Sequence, residues 1–196
     1  MRIILPLSLM LLMFHFVGCA QQIPNKEAQI ASALLTAPED QRENVTVLGY
    51  DAEGKVVTLQ EGTGTLICLA DDPNQEGYNA ACYHKDLEPF MARGRQLKAE
   101  GKSGGDIFTI RESEAKSGKL KMPEKGATLH IRYGKEGKYN PETNEVENTQ
   151  LRYVVYIPFA TSESTGLPTK PTVPGGPWIM DPGTHRAHIM VTPPGE

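Results

Sequence analysis

Histidine and acidic side chains are the residues of this sequence whose chemistry could support a reaction. Four histidines lie beyond the N-terminal apolar run: His84, His130, His185 and His188. An open zinc site with three protein ligands activates a water molecule for hydrolysis, and imidazole is a frequent ligand. One hypothesis is therefore a metal-assisted hydrolase in which His130 and His188 bind zinc. Asp181 or Glu88 would supply the third ligand.

The spacing of His185 and His188 does not favour a shared ion. Ile189, Met190 and Val191 are typical of a strand, on which side chains three positions apart point to opposite faces. No His-Glu-x-x-His motif or dense Cys/His cluster accompanies them. The alternative is that one histidine is hydrogen-bonded in the core, the others are exposed, and the protein uses no cofactor.

The adjacent carboxylates of Asp71 and Asp72 are a second candidate for acid/base chemistry. General acid catalysis requires a carboxyl group whose pKa is raised by burial or by a neighbouring charge. These two residues lie in a polar segment, so we expect both to be ionised and solvated. The sequence also lacks the Gly-x-Ser-x-Gly elbow and the phosphate-binding Gly-x-x-x-x-Gly-Lys motif.

The N-terminus predicts export. Residues 3–17 form an apolar run that follows Arg2 and is too short for a comfortable membrane span. The ending Phe16-Val17-Gly18-Cys19 resembles the lipobox of bacterial lipoproteins, which implies that residues 1–18 are a signal peptide and that Cys19 carries the lipid. Residues 19–24 would then be a short tether, and 25–196 a single globular domain. Cleavage after Ala20, which would release a soluble secreted protein, is the alternative.

Cys68 and Cys82 are the remaining cysteines. A pair of cysteines in an oxidising compartment most simply forms a disulfide, and the spacing differs from the Cys-x-x-Cys of redox catalysts. The sequence therefore predicts a structural disulfide that closes a polar, turn-rich loop.

Composition limits the partners. The chain of 196 residues is 39% hydrophobic and 22% charged, with a formal net charge of −4. A mildly acidic chain does not attract nucleic acid or anionic headgroups by bulk charge. We therefore expect no nucleic acid partner and membrane contact through the N-terminal lipid alone, in a periplasmic or outer-membrane lipoprotein of the bacterial cell envelope.

Hydrophobic periodicity predicts an α+β fold, with a mainly antiparallel sheet, two or three helices packed on it, and one disulfide. Predicted helices cover residues 25–36 and 86–100, and predicted strands cover 45–50, 55–60, 65–70, 128–133, 151–157, 178–180 and 187–191. The first three strands are expected to form a meander. The apolar residues of 106–117 fit neither the helical nor the strand period, and 134–150 are expected to be a long polar loop.

The C-terminal third offers a recognition surface. Residues 166–177 are interrupted by prolines and must run over the surface, and they lead to Trp178, the only tryptophan. Alternation along a strand places Trp178 and Met180 on one face. The indole is expected either to fill the core or to line a groove beside the proline segment. We therefore favour a binding or interaction module, whose protein or small-molecule ligand contacts Trp178 and Met180.

Several short motifs together resemble a group of uncharacterised exported bacterial proteins. They are Gly62-Thr63 before the strand to Cys68, Asp72-Pro73 before Cys82 as the opening of a helix, Gly-Gly-Pro-Trp-x-Met at 175–180, and Ala-His-Ile-Met at 187–190. The resemblance covers about residues 45–100 and 151–192. It implies a shared fold and no particular activity.

Acylation of Cys19 is directly testable. Labelled palmitate should enter the wild-type protein in cells, and Cys19→Ser should lose both the label and its membrane fractionation. An unlabelled, soluble protein that begins at Gln21 would instead establish ordinary signal cleavage.

Overall fold

The computed structural model describes residues 23–194 and has an α+β architecture, as predicted. Its helices are α1 (Lys26–Leu34), α2 (Glu88–Ala99), α3 (Gly104–Lys116) and the single turn α4 (Ser162–Thr165). Its strands are β1 (Thr46–Tyr50), β2 (Val56–Gln60), β3 (Leu66–Leu69), β4 (Tyr78–His84), β5 (Ala127–Gly134), β6 (Lys138–Asn140), β7 (Glu145–Glu147), β8 (Gln150–Tyr156), β9 (Trp178–Met180) and β10 (His188–Val191).

Eight strands form one sheet in the order β2-β1-β3-β4-β5-β8-β10-β9. All neighbours are antiparallel except β1 and β3, which pair in parallel. The predicted meander of the first three strands is therefore wrong, because β3 pairs with β1 instead of β2. Gly62 permits this path: a Cβ there would lie 2.2 Å from the Asn44 carbonyl oxygen, so only glycine lets the connection cross the start of β1.

Helices cover both faces of the sheet. On the front face, Phe90 of α2 packs in one apolar core with Leu129, Val154 and Met190. On the back face, Ala33 of α1 packs in a second core that contains the disulfide. The sheet is therefore the middle layer, and each of its strands contributes alternate side chains to the two faces.

Local sequence explains where the helices begin. The Asn25 side chain accepts from the Ala28 amide at the start of α1, and Pro89 occupies the first turn of α2. The Ser103 side chain accepts from the Asp106 amide at the start of α3. The ambiguous stretch 106–117 is thus helical. The hydrophobic period of α3 is obscured because Arg111, a polar residue, is the most buried side chain of this helix.

Residues 134–150 are more ordered than the expected loop. They contain the separate two-stranded hairpin β6–β7, in which the Asn140 side chain donates to Glu147 at 2.9 Å. The proline segment 166–177 forms neither helix nor strand and is mostly exposed, as expected.

The predicted disulfide is confirmed. Cys68 and Cys82 face each other across β3 and β4, with their Cα atoms 4.0 Å apart and both side chains fully buried. The expectation that Cys82 opens a helix is wrong, because Cys82 lies within β4.

The predictions for the N-terminus, including lipidation of Cys19, lie outside the described residues. Within residues 23–194, the helices are all too short or too polar to cross a bilayer.

Removing the disulfide should lower stability measurably. The double variant Cys68→Ala/Cys82→Ala should lose about 3 kcal/mol of unfolding free energy, since the bridge closes a short loop in the unfolded chain. Urea denaturation without reductant measures the loss. Reductant should leave the double variant unchanged, and equal midpoints for the variant and the wild type would contradict a stabilising bridge.

Candidate functional site

Strand register places the two proposed zinc ligands on opposite faces of the sheet. His130 faces Tyr153 across β5 and β8, whereas His188 faces Tyr156 across β8 and β10. Tyr153 and Tyr156 are three positions apart on one strand, so their side chains point to opposite faces. His130 therefore belongs to the back face and His188 to the front face. In this fold the two imidazole rings therefore do not face a common ion.

The proposed third ligands are engaged elsewhere. Asp181 accepts from Arg186 at 2.7 Å, and Glu88 accepts from Arg95 and from the Tyr83 hydroxyl, each at 2.6 Å. Among residues 23–194, no group of three metal-ligating side chains converges. The residues proposed for a metal-assisted hydrolase are thus dispersed in the fold.

The most enclosed titratable group is instead His185, whose side chain is fully buried between α3 and the turn before β10. Its Nδ1 lies 2.5 Å from a carboxylate oxygen of Glu112, which also accepts from the His185 amide at 2.8 Å. The ring centroids of Phe108 and Phe90 lie 4.9 and 5.7 Å away in edge-on contacts. His185 is therefore fixed by a charge-assisted bond and by aromatic packing.

The pKa shifts define the charges of this pair. Burial lowers the pKa of His185 by more than the Glu112 carboxylate raises it. Desolvation raises the pKa of Glu112, but hydrogen bonds from Lys116 and His185 outweigh it and lower that pKa to about 2. At neutral pH a neutral imidazole therefore donates its Nδ1 proton to an ionised carboxylate.

A carboxylate-oriented histidine is also the arrangement of many general bases. Here the Nε2 atom is buried and has no hydrogen-bond partner among the described residues, and the ring has no exposed surface that a substrate could reach. The pair thus ties the C-terminal hairpin to α3. The sequence does not reveal the pair of His185 and Glu112, because Glu112 lies in residues 106–117, whose hydrophobic pattern fits neither a helix nor a strand.

Asp71 is less solvated than expected. Burial raises the pKa of its carboxyl group to about 6, although the Asn79 amide donates to it at 2.7 Å. It lines a cleft of about 360 Å³ beside Tyr78 and Lys138. Asp72 remains ionised, because hydrogen bonds from the Asn74 amide and from Lys98 outweigh desolvation and lower its pKa.

Trp178 and Met180 do share a face, and both line a pocket of about 470 Å³. The register continues this face onto β10, where Trp178 opposes Met190 and Met180 opposes His188. Met190 also lines the pocket, and Arg152 of β8 stands at its side. The proline segment also lines the pocket, through residues 171–176.

The two expected geometries of Trp178 are combined in the fold. The indole is half-buried and packs against the front core, and it also lines the pocket. One part of the ring therefore stabilises the fold while another part is available to a ligand.

A larger groove of about 1030 Å³ lies between α2 and the exposed part of β1 and β2. Two of its three cations are paired: Arg95 bonds Glu88 at 2.6 Å, and Lys98 bonds Asp72 at 3.2 Å, whereas Lys55 forms no ion pair with the described residues. Apolar residues such as Leu48 and Val57 also line the groove, and both of its acidic side chains are engaged by these cations.

Comparison of the chain with protein-family models, with curated proteins and with solved structures finds no match. The functional argument therefore depends on the chemistry of the site alone.

The neutral state of buried His185 should make stability depend on pH. A histidine whose pKa is lower in the folded state binds protons preferentially in the unfolded state, so stability is lost as the pH falls below about 6.5. His185→Phe, which keeps an aromatic ring beside Phe108, should therefore lose less unfolding free energy than the wild type between pH 7.5 and pH 5.

Urea titrations at the two pH values measure this difference. His130 and His188, whose pKa values are also lowered by burial, remain in the variant and should retain part of the pH dependence. Equal losses in the variant and the wild type would show that His185 is not held neutral by the fold.

Proposed function

We propose that the chain is an exported, lipid-anchored domain of the bacterial cell envelope that binds a small ligand in the Trp178 pocket. The observation that carries the proposal is the composition of that pocket. An indole, two thioethers and a proline segment line it, and the volume of about 470 Å³ is typical of ligand sites.

Rigid surroundings support a binding role. β9 pairs with β10 on one edge, and on the other edge the Ile179 amide donates to the Pro168 carbonyl at 2.9 Å. Proline-rich backbone loses little conformational entropy when a ligand binds, because its φ angles are already restricted. A site of this kind is therefore organised before the ligand arrives.

The alternative of a metal-assisted hydrolase receives less support. His130 and His188 lie on opposite faces, and the carboxylate-bound His185 is buried. Export and lipid anchoring are supported by the N-terminal sequence, in which a short apolar run ends at Gly18-Cys19. Binding is the function that uses the exposed features of the domain.

A neutral fluorescent probe tests the pocket. N-phenyl-1-naphthylamine should bind saturably and accept excitation energy from Trp178, the only tryptophan of the chain. Met180→Gln preserves side-chain length but places an amide in the apolar wall, so the probe affinity should fall about tenfold.

Val56→Thr is the matched control, because Val56 lies in the groove beside α2 and not in the Trp178 pocket. This variant should bind the probe as the wild type does. If Met180→Gln leaves the probe affinity unchanged, or if Val56→Thr reduces it equally, the Trp178 pocket is not the binding site.

A further inference from the structure

Arg152 is the only charged side chain that lines the Trp178 pocket within the described part of the chain. Its Nε donates to the Thr192 hydroxyl at 3.2 Å, and its Nη2 donates to the Tyr133 hydroxyl at 2.6 Å. The guanidinium carbon also lies 4.4 Å from the centroid of the Tyr133 ring. The guanidinium group is therefore held in place from two sides.

These contacts do not neutralise the charge. Both partners are hydroxyl groups, and no ion pair joins Arg152 to an acid of residues 23–194. Nη1 donates no hydrogen bond to a described residue, and neither does the indole N–H of Trp178. The pocket is thus lined by one cation without an ion pair and by no acidic side chain.

The larger groove beside α2 differs from the Trp178 pocket, because its lining contains acidic side chains as well as cations. There Arg95 and Lys98 each bond a carboxylate of the same groove, and Lys55 is the one cation left without an ion pair among the described residues, so an anion would meet acids beside the cations. In the Trp178 pocket a ligand would supply the missing charge. A guanidinium group suits a carboxylate especially well, because its planar donors match two carboxylate oxygens.

We infer that the ligand of the Trp178 pocket is an amphiphilic monoanion, with a carboxylate bound by Arg152 and an apolar chain lying over Trp178, Met180 and Met190. This inference rests on the proposed function and specifies its ligand. Met180, Met190 and the prolines place mainly apolar side chains against the rest of the ligand. The volume of about 470 Å³ suits a chain of moderate length.

Three amphiphiles with the same chain test the assignment: decanoate, decanol and decyltrimethylammonium. The emission of Trp178 reports binding, at concentrations below micelle formation and at pH 7.5, where decanoate is ionised. Decanoate should bind at least about tenfold more tightly than decanol, and the cationic amphiphile should bind most weakly, because Arg152 attracts only the anion.

Variants separate the role of charge from that of the fold. Arg152→Gln should still bind decanol, which an unfolded pocket could not do, and its affinity for decanoate should fall to that for decanol. Arg152→Lys should keep part of the preference for the anion. Arg95→Gln, in the larger groove, should keep all of it.

The two proposals fail in different ways. Equal affinities of the wild type for decanoate and decanol, or a preference for decanoate that survives in Arg152→Gln, would overturn the anion assignment and leave the pocket as an apolar site. If none of the three amphiphiles, and no neutral naphthylamine probe, perturbs the emission of Trp178, the proposed binding function itself is wrong.

Discussion

The covalent link between facing positions of β3 and β4 fixes the register on which the rest of the molecule depends. Cys68 and Cys82 begin a row of cross-strand partners that continues through His130, Tyr153 and Val191. A slip of one residue in any of these pairings would move the side chains of a strand to the other face. The disulfide stands at the centre of the sheet, so the faces on both sides of it are specified relative to one covalent anchor.

Helices and strands with a regular hydrophobic pattern or a strong local residue preference could be predicted from the sequence. α2 has a regular apolar stripe, and β8 is a run of β-branched and aromatic residues, so both lie close to their expected bounds. The parallel pairing of β1 with β3 could not be predicted, because it depends on a close backbone approach at Gly62. The helical state of α3 is not evident from the sequence because polar residues such as Arg111 and Glu112 make part of its tertiary contacts, and a hydrophobic period does not report polar packing.

The candidate site was predictable only in part. Trp178 and Met180 share a face because alternation along one strand requires it, and the sequence contains that information. Arg152 enters the same pocket because β8 lies beside β10, which places Arg152 next to Thr192. Such a neighbour relation depends on the strand order of the whole sheet. The same dependence explains why His130 and His188 appeared compatible in sequence and are separated by the sheet in the fold.

The hairpin that carries the pocket would be a weak element on its own, because β9 has three residues and lies at the edge of the sheet. Polar contacts fix its turn, and two of them join charged side chains or a histidine: Asp181 bonds Arg186 within the turn, and His185 bonds Glu112 of α3. The second contact is buried beside aromatic rings, where charge-assisted hydrogen bonds are strong and rupture leaves an unpaired group. The buried histidine thus acts on the pocket indirectly. By fixing the turn between β9 and β10, it restrains the strand that carries Trp178 and Met180, so the binding proposed for this pocket would require less ordering.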